Sequence, residues 1–376
     1  MIKIVADNKI PFLRGVLEQC ARIVYFPGRE ISKEHIGDAD ALIVRTRTRC
    51  DKRLLGGTPV RYIATATIGF DHIDTGYCSA NGIAWSNAPG CNSGSVMQYI
   101  ASALASVSDN DGRRFGDLTL GIVGVGHVGK KIEKLARILG MRVLLNDPPR
   151  ERAEGRGSFV PLEALLEGSD IVTMHVPLNR EGEDCTVHMA DSGFFGRMRK
   201  GGWFINTARG EVMNSRALLE ALRSGHLAGT VIDVWENEPV IDRELLDRAY
   251  IATPHIAGYS LDGKANGTAQ SVRSVSEFFK IGIGDWYPEI PSPAGAVVRF
   301  DGDPGDPGQP DQLIKSLFMH TYDIMADSKR LKAAPERFEQ LRDDYPPRRE
   351  FHAYRLDFED PADPASEKLR ELGFRF

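Results

Sequence analysis

The sequence contains no apolar run long enough to cross a bilayer, because its best candidates are interrupted by Asp, Arg or Gly, whereas a spanning helix needs about 20 apolar residues in succession. Cysteine is scarce: Cys20, Cys50, Cys78, Cys91 and Cys185 are the only five in 376 residues. An odd number without short paired spacings excludes a zinc or disulfide framework, so reduced structural thiols and no metal site are expected. Neither sign of charge dominates, since 47 basic and 52 acidic residues leave a net charge of -5. That balance gives no general attraction to nucleic acid or to an anionic membrane, although a local basic pocket can still take a small anion. The opening Met1-Ile2-Lys3-Ile4-Val5-Ala6-Asp7 lacks the long apolar core of a secretion signal and reads as a first strand. A cytoplasmic protein with a small-molecule partner is the expectation.

With 42% hydrophobic and 26% charged residues the composition is globular, and the length exceeds what one core usually supports. Short apolar runs at Ile2–Val5, Ile23–Tyr25, Ala41–Val44, Tyr62–Thr65 and Ile83–Trp85 alternate with polar segments, the rhythm of a parallel α/β layer. Pro11–Cys20 and Asp71–Asn81 read as helices between them. A helix over about Ser95–Asp109, rich in Ala and Ser that permit close packing, marks a crossing into a second domain. There Leu118–Gly124, Val143–Asn146, Ile171–His175, Trp203–Asn206, Thr230–Val234 and Tyr250–Ala252 supply six strands of a doubly wound sheet. Asn266–Lys280 reads as a helix returning to the first domain. Beyond Asp285 the character changes, and Asp301–Gly308 is a Pro/Gly/Asp segment expected as a linker or exposed turn. Helices at Gln312–Met325 and Ala334–Asp343 and a strand at Phe351–Asp357 follow it. The expected architecture is α/β: residues 1–93 with 257–284 form one Rossmann-like domain and residues 94–256 form a second. Residues 285–376 form a small α+β tail domain.

Gly124-Val125-Gly126-His127-Val128-Gly129 fits G-x-G-x-x-G, a pattern that is weak alone because glycine-rich turns are common. Its setting strengthens it: a strand precedes it, a helix over Lys130–Leu139 follows, and the next strand ends at Asp147, near the interval of about 20 residues expected of a ribose-binding carboxylate. An acid there binds ribose hydroxyls and repels a 2′-phosphate, which favours NAD over NADP. Arg150 and Arg152 lie close by and could tolerate a phosphate, but solvent-facing arginines are the plainer reading.

Three strand ends carry further chemistry: Asn206-Thr207-Ala208-Arg209-Gly210, Asp233-Val234-Trp235-Glu236-Asn237-Glu238-Pro239 and Thr253-Pro254-His255-Ile256-Ala257-Gly258. Carboxyl ends of strands are where open α/β sheets bind ligands. An Arg to hold an anion, a His to move a proton and a carboxylate beside the His are what oxidation of a hydroxy acid requires. Each alone has a blander reading, a core histidine or a surface ion pair. His72, His127, His175 and His188 lack such a setting, though His175 could border a cofactor.

In this order and spacing, the glycine loop and the three segments resemble the D-specific 2-hydroxyacid dehydrogenases. The resemblance implies Arg209 for carboxylate binding and carbonyl polarisation, His255 as acid/base, and Glu238, in preference to its neighbour Glu236, as the residue that orients His255. It also implies NAD as cofactor, bound by Gly124, Gly126, His127, Val128, Gly129 and Asp147, with Asp233 facing the nicotinamide amide and backbone at Val176, Ala208 and Gly258 lining the pocket. Further segments (Val44–Thr46, Ala64–His72, Asn87–Asn92, Ile256–Lys264 and Tyr345–Phe351) extend the likeness from the first strand to the tail. They narrow it to a branch acting on a small phosphorylated hydroxy acid, as a homodimer joined through the tail. By that likeness Thr46, Thr67 and Tyr259 contact substrate, and Arg45 is suited to an anion. Thr46 stands where the family carries serine, which keeps the hydroxyl, and Val176 replaces a hydroxyl residue. A substrate with two anionic ends asks for more than one cation. Arg348 or Arg349 is the candidate for the phosphate, set against an equally weighted reading as a solvated basic pair. Other 2-hydroxyacid reductases of the family and a non-enzymatic NAD-sensing scaffold are the rival expectations.

Overall fold

Strands buried on both faces should read as unbroken apolar runs, and the runs described above form two parallel sheets. The structure, a computed structural model, describes residues 1–299, 310–357 and 364–376; the linker expected at Asp301–Gly308 lies outside the described residues. The chain divides into two compact units, Met1–Asn92 with Ser260–Pro291, and Ser93–Tyr259 with Ser292–Phe376.

In the first unit β1 (Ile2–Asp7), β2 (Ala21–Phe26), β3 (Ala41–Val44), β4 (Tyr62–Thr65) and β5 (Ala84–Ser86) form a sheet of order β2-β1-β3-β4-β5. Alternate side chains enter opposite faces: Val5, Leu42, Val44 and Ile63 join one apolar cluster, and Ile4, Ala6, Ile43 and Ala64 the other. The helix Leu261–Phe279 closes the second face through Val272 and Val275. The helix expected over Pro11–Cys20 is instead a series of turns. Phe12 and Gly15 take φ of 64° and 85° there, which a right-handed helix cannot include. Within Asp71–Asn81 only Thr75–Ala80 is helical, capped by Asp74, whose carboxylate accepts the Tyr77 N–H at 2.8 Å.

In the second unit β6 (Thr119–Val123), β7 (Arg142–Asn146), β8 (Ile171–Met174), β9 (Gly202–Asn206), β10 (Leu227–Ile232) and β11 (Ile251–Ala252) form a parallel sheet of order β11-β10-β9-β8-β6-β7. Strand order reverses at β6 and β8, so loops leaving these strands diverge and leave a crevice at their carboxyl ends. The long helix Ser93–Asp111 is buried along most of its length. Its Ser102 hydroxyl donates to the carbonyls of Phe318 and Tyr322 at 3.3 and 3.0 Å, a close approach that its small residues permit.

The carboxy-terminal segment belongs to this second core. Ile314, Leu317, Phe318, Phe351, Leu369 and Phe374 share a cluster with Leu120, Ile122 and Ile205 of the sheet. The helical stretch expected at Gln312–Met325 is two helices, Pro310–Thr321 and Ile324–Ala333. Asp323 starts the second by accepting the Ala326 N–H at 3.0 Å. Ala334–Asp343 becomes a 3₁₀ turn at Pro335–Arg337 and the helix Phe338–Asp343. The expected strand Phe351–Asp357 shortens to β13 (Arg355–Asp357), paired in parallel with β12 (Val297–Arg299). Among the described residues no helix is long and apolar enough to cross a membrane.

Candidate active site

The glycine loop leaves β6 at the point where strand order reverses. Gly124 has φ of 89°, and a Cβ on it would lie 2.8 Å from the carbonyl carbon of His175; one on Gly129 would lie 2.1 Å from the Gly124 carbonyl oxygen. First and third glycines are therefore fixed by packing. A Cβ on Gly126 would meet nothing within 4 Å, so this glycine keeps open a space that a side chain would fill, beside the amino end of the helix His127–Ile138. Unpaired N–H groups at such an end suit a pyrophosphate. His127 is exposed and Val128 half-buried beside it. Asp147 follows β7, its carboxylate accepting the N–H of Val125 at 2.7 Å and of Arg150 at 3.1 Å. Arg150 pairs with Glu154 at 2.6 Å and Arg152 with Glu183 at 3.3 Å, so both nearby arginines are committed to carboxylates. Val176, on the loop after β8, packs against Gly124. These residues fit NAD.

Next to this crevice, the ends of β9, β10 and β11 are tied together. Asn206, the last residue of β9, accepts the Ala208 N–H at 3.0 Å and donates to the Arg209 carbonyl at 3.0 Å, folding the turn that presents Arg209. A Cβ on Gly210 would stand 2.0 Å from the Trp235 carbonyl carbon. Only glycine lets the Arg209 turn lie against the loop that carries Glu238.

Asp233 follows β10 and is 1% exposed. Its carboxylate accepts from the Thr253 hydroxyl at 2.6 Å and from the N–H groups of Ile256 and Ala257 at 2.7 and 2.9 Å. Its carbonyl accepts the His255 N–H at 2.7 Å. The turn holding His255 and Gly258 is thereby stapled to Asp233, and Tyr99 completes the cluster with its hydroxyl 2.7 Å from that of Thr253. Burial pushes the Asp233 carboxyl up, against the opposing pull of His255 and these donors. His255 itself adopts φ of 57°, a region that His visits more readily than most side chains.

Glu238 and His255 meet: Oε2 lies 2.8 Å from Nδ1, while the Trp235 N–H donates to Oε1 at 2.9 Å. Burial alone would raise the Glu238 carboxyl, but His255, the Trp235 N–H and Arg342 outweigh it and hold it below the ordinary glutamate value. With Nδ1 occupied, Nε2 of His255 is the nitrogen left for a substrate proton. Glu236 is spent elsewhere, 2.7 Å from Nε2 of His188 and 2.7 Å from the Ser215 N–H.

Arg342, in the helix Phe338–Asp343, was not legible as a site residue. Its Nη1 lies 4.0 Å from Oε2 of Glu238 and 3.2 Å from Glu339, and its Nη2 donates to the Tyr259 hydroxyl oxygen at 3.3 Å. Arg348 and Arg349, the candidates for a phosphate, are 6% and 7% exposed. Arg348 donates to the carbonyls of Ala257 and Ile256 at 2.7 and 3.3 Å and stacks on Tyr322 at 4.2 Å, so its guanidinium holds the turn after His255. The Arg349 carbonyl accepts from the Gln98 side chain at 2.9 Å.

In the first unit, strand order reverses between β1 and β3, and there Arg45 makes a two-point contact with buried Asp7, at 2.9 and 3.3 Å. Thr46 beside it is exposed. Thr67, two residues beyond β4, has its hydroxyl 2.8 Å from that of Thr65 and donates to the Gly69 carbonyl at 2.9 Å. Among the described residues no cluster of His, Cys, Asp or Glu could hold a metal ion.

A glycine loop at a strand-order reversal with an imidazole–carboxylate couple beside it defines a nicotinamide-dependent dehydrogenase. Residues 97–257 match the family model described as "D-isomer specific 2-hydroxyacid dehydrogenase, NAD binding domain", and residues 304–373 match one described only as a domain of unknown function. The chain is 50% identical to an erythronate-4-phosphate dehydrogenase of Bacteroides fragilis over 94% of this chain and 99% of the relative. It is 39% identical to the enzyme of that name from Azotobacter vinelandii, over 99% of each chain. Among solved structures, D-lactate dehydrogenase of Aquifex aeolicus, complexed with NAD and lactic acid, aligns with a TM-score of 0.63 at 27% identity, covering 74% of this chain and 95% of that one. NAD⁺-bound 3-phosphoglycerate dehydrogenase of Entamoeba histolytica aligns with a TM-score of 0.62 at 27% identity, covering 77% and 99%. The chain belongs to the D-isomer specific 2-hydroxyacid dehydrogenases, NAD-dependent oxidoreductases, and within them to the erythronate-4-phosphate dehydrogenase family.

Proposed function

We propose that this chain oxidises 4-phospho-D-erythronate to 2-oxo-3-hydroxy-4-phosphobutanoate while NAD⁺ is reduced, a step of pyridoxal phosphate biosynthesis. The observation that carries the substrate is the likeness to enzymes named for it, which spans 94% of the chain and takes in the tail. In this reading Arg209 binds the C1 carboxylate and polarises the C2 oxygen. His255 accepts the C2 hydroxyl proton on Nε2, and Glu238 keeps Nδ1 engaged so that the ring faces the substrate. NAD⁺, when bound, supplies the acceptor for the C2 hydride. Asp233 fixes the His255 turn, and the glycine loop with Asp147, Val176, Ala208 and Gly258 forms the cofactor side.

Thr46, Thr67 and Tyr259 are assigned to substrate contact. Arg45, held at the strand reversal by Asp7, is assigned to an anionic end of the substrate; Arg348, engaged by two carbonyls, suits a positioning role better than phosphate contact, and Arg349, buried beside it, is grouped with it. The two units take the substrate-binding and NAD-binding roles, residues beyond 285 serve a homodimer, and the protein works in the cytoplasm.

A substrate panel tests the reading. NADH formation should be fastest per unit concentration with 4-phospho-D-erythronate, by tenfold or more over 3-phospho-D-glycerate, glycerate and D-lactate, since a polar group built to meet a substrate charge discriminates strongly. Equal or faster turnover of 3-phospho-D-glycerate would reassign the substrate.

A further inference from the structure

The carboxy-terminal segment brings cations to the two carboxylates that support His255. Glu238 is 19% exposed at its side chain and Asp233 is 1% exposed. Two acids so poorly hydrated, facing one imidazole, should resist sharing ionised states. Each has an arginine from the tail nearby. Arg348 grips the carbonyls of Ile256 and Ala257, the residues whose N–H groups bind Asp233. Arg342 reaches Oε2 of Glu238, the oxygen that also faces His255.

Arg342 is held in this place on several sides. Its side chain is 10% exposed, Glu339 anchors Nη1 at 3.2 Å, and the rings of Phe338 and Tyr259 lie 5.9 and 6.0 Å from the guanidinium carbon. Nη2 donates to the Tyr259 oxygen, which turns the phenolic O–H away from Arg342. Tyr345 packs on Tyr259 with ring centres 5.9 Å apart. Charged and titratable groups of the second unit gathered around the couple include Asp233, Arg342, Arg348, Glu339, Tyr259 and Tyr345.

We propose that Arg342 is a positioning residue of the active site, a tail-borne cation that keeps Glu238 ionised and fixes Tyr259, so that proton transfer at His255 depends on the carboxy-terminal segment. The inference rests on the catalytic roles proposed above and gives a task to the segment whose family model is described as a domain of unknown function. At 4.0 Å an opposite charge is close enough to move a carboxyl by about one pH unit or more. Glu339 competes for the same guanidinium, so removing its charge should act in the opposite direction.

The full chain labelled with ¹³C at glutamate Cδ, with the Glu238 signal assigned by its loss in E238Q, reads this directly. In R342Q the Glu238 carboxyl should titrate about one pH unit higher than in the native chain; in E339Q it should titrate lower, and R342K should restore most of the native position. The acid limb of kcat/KM for 4-phospho-D-erythronate should move with it, upward in R342Q, with kcat falling more than KM rises. If R342Q fails to fold by circular dichroism, E339Q still decides the sign. A Glu238 titration unmoved in both R342Q and E339Q, or in E339Q where R342Q does not fold, overturns the proposal. A native chain inactive on 4-phospho-D-erythronate would instead remove the functional reading, and the carboxyl titration would still decide the role of Arg342.

Discussion

Glu236 and Glu238 are the same acid on one turn, and their partners separate them. Glu236 faces His188 and the Ser215 N–H, whereas Glu238 faces His255. E238Q should therefore lower kcat by about 10²-fold, the scale of a disturbed general base, while E236Q should leave kcat within about threefold and lower thermal stability modestly through the lost Ser215 contact. Stopped-flow kinetics beside a melting curve would separate the two, and equal kcat losses would reject the assignment. The His–Glu–Arg pattern is legible in sequence because each member sits at a strand end with a recognisable neighbourhood. Arg342 is not, because nothing in the spacing of the tail relates it to a carboxylate on a distant loop. Arg348 was visible as a cation, but its commitment to the Ile256 and Ala257 carbonyls appears only once the tail is folded onto the second unit.

At the scale of elements, strands were the easiest to read, since β3 and β4 are buried at every position and appear as unbroken apolar runs. Turns inside helix-like patterns were not. The residues around Phe12 and Gly15 have helical composition, but both take positive φ, and Tyr322 and Asp323 interrupt a run whose periodicity continues across them. Close approach of loops is equally hidden until the sheet assembles. It makes Gly210 a sensitive position: Gly210→Ala would place a methyl 2.0 Å from the Trp235 carbonyl carbon, an overlap that must move backbone. The expected cost is about 2–4 kcal/mol in chemical denaturation with a larger loss of kcat than of NADH affinity. A variant with native stability and turnover would show that the Arg209 turn need not touch that loop.

For the whole molecule, acid sensitivity should follow from a half-buried, poorly hydrated histidine near the cofactor crevice. Loss of hydration pushes His175 down to about 3, its ring nitrogens 3.0 and 3.3 Å from the hydroxyls of Thr173 and Thr207. A histidine whose folded value is depressed binds its proton more readily when unfolded. Stability should therefore decline as pH falls from about 6.5 toward the folded value, by at most about 1.4 kcal/mol per pH unit from this residue. His175→Gln should flatten that decline in urea titrations between pH 6 and pH 4, conditions chosen on the ordinary histidine range; an unchanged slope would assign acid sensitivity to other groups.

Proton transfer through the His255–Glu238 couple is the claim on which the rest depends, and single-turnover NADH formation in His255→Ala, with NADH binding measured on the same samples, tests it most directly. Turnover of 4-phospho-D-erythronate should fall by about 10³-fold while the NADH dissociation constant stays within about threefold of the native chain. Turnover within tenfold of native, with cofactor binding intact, would contradict it.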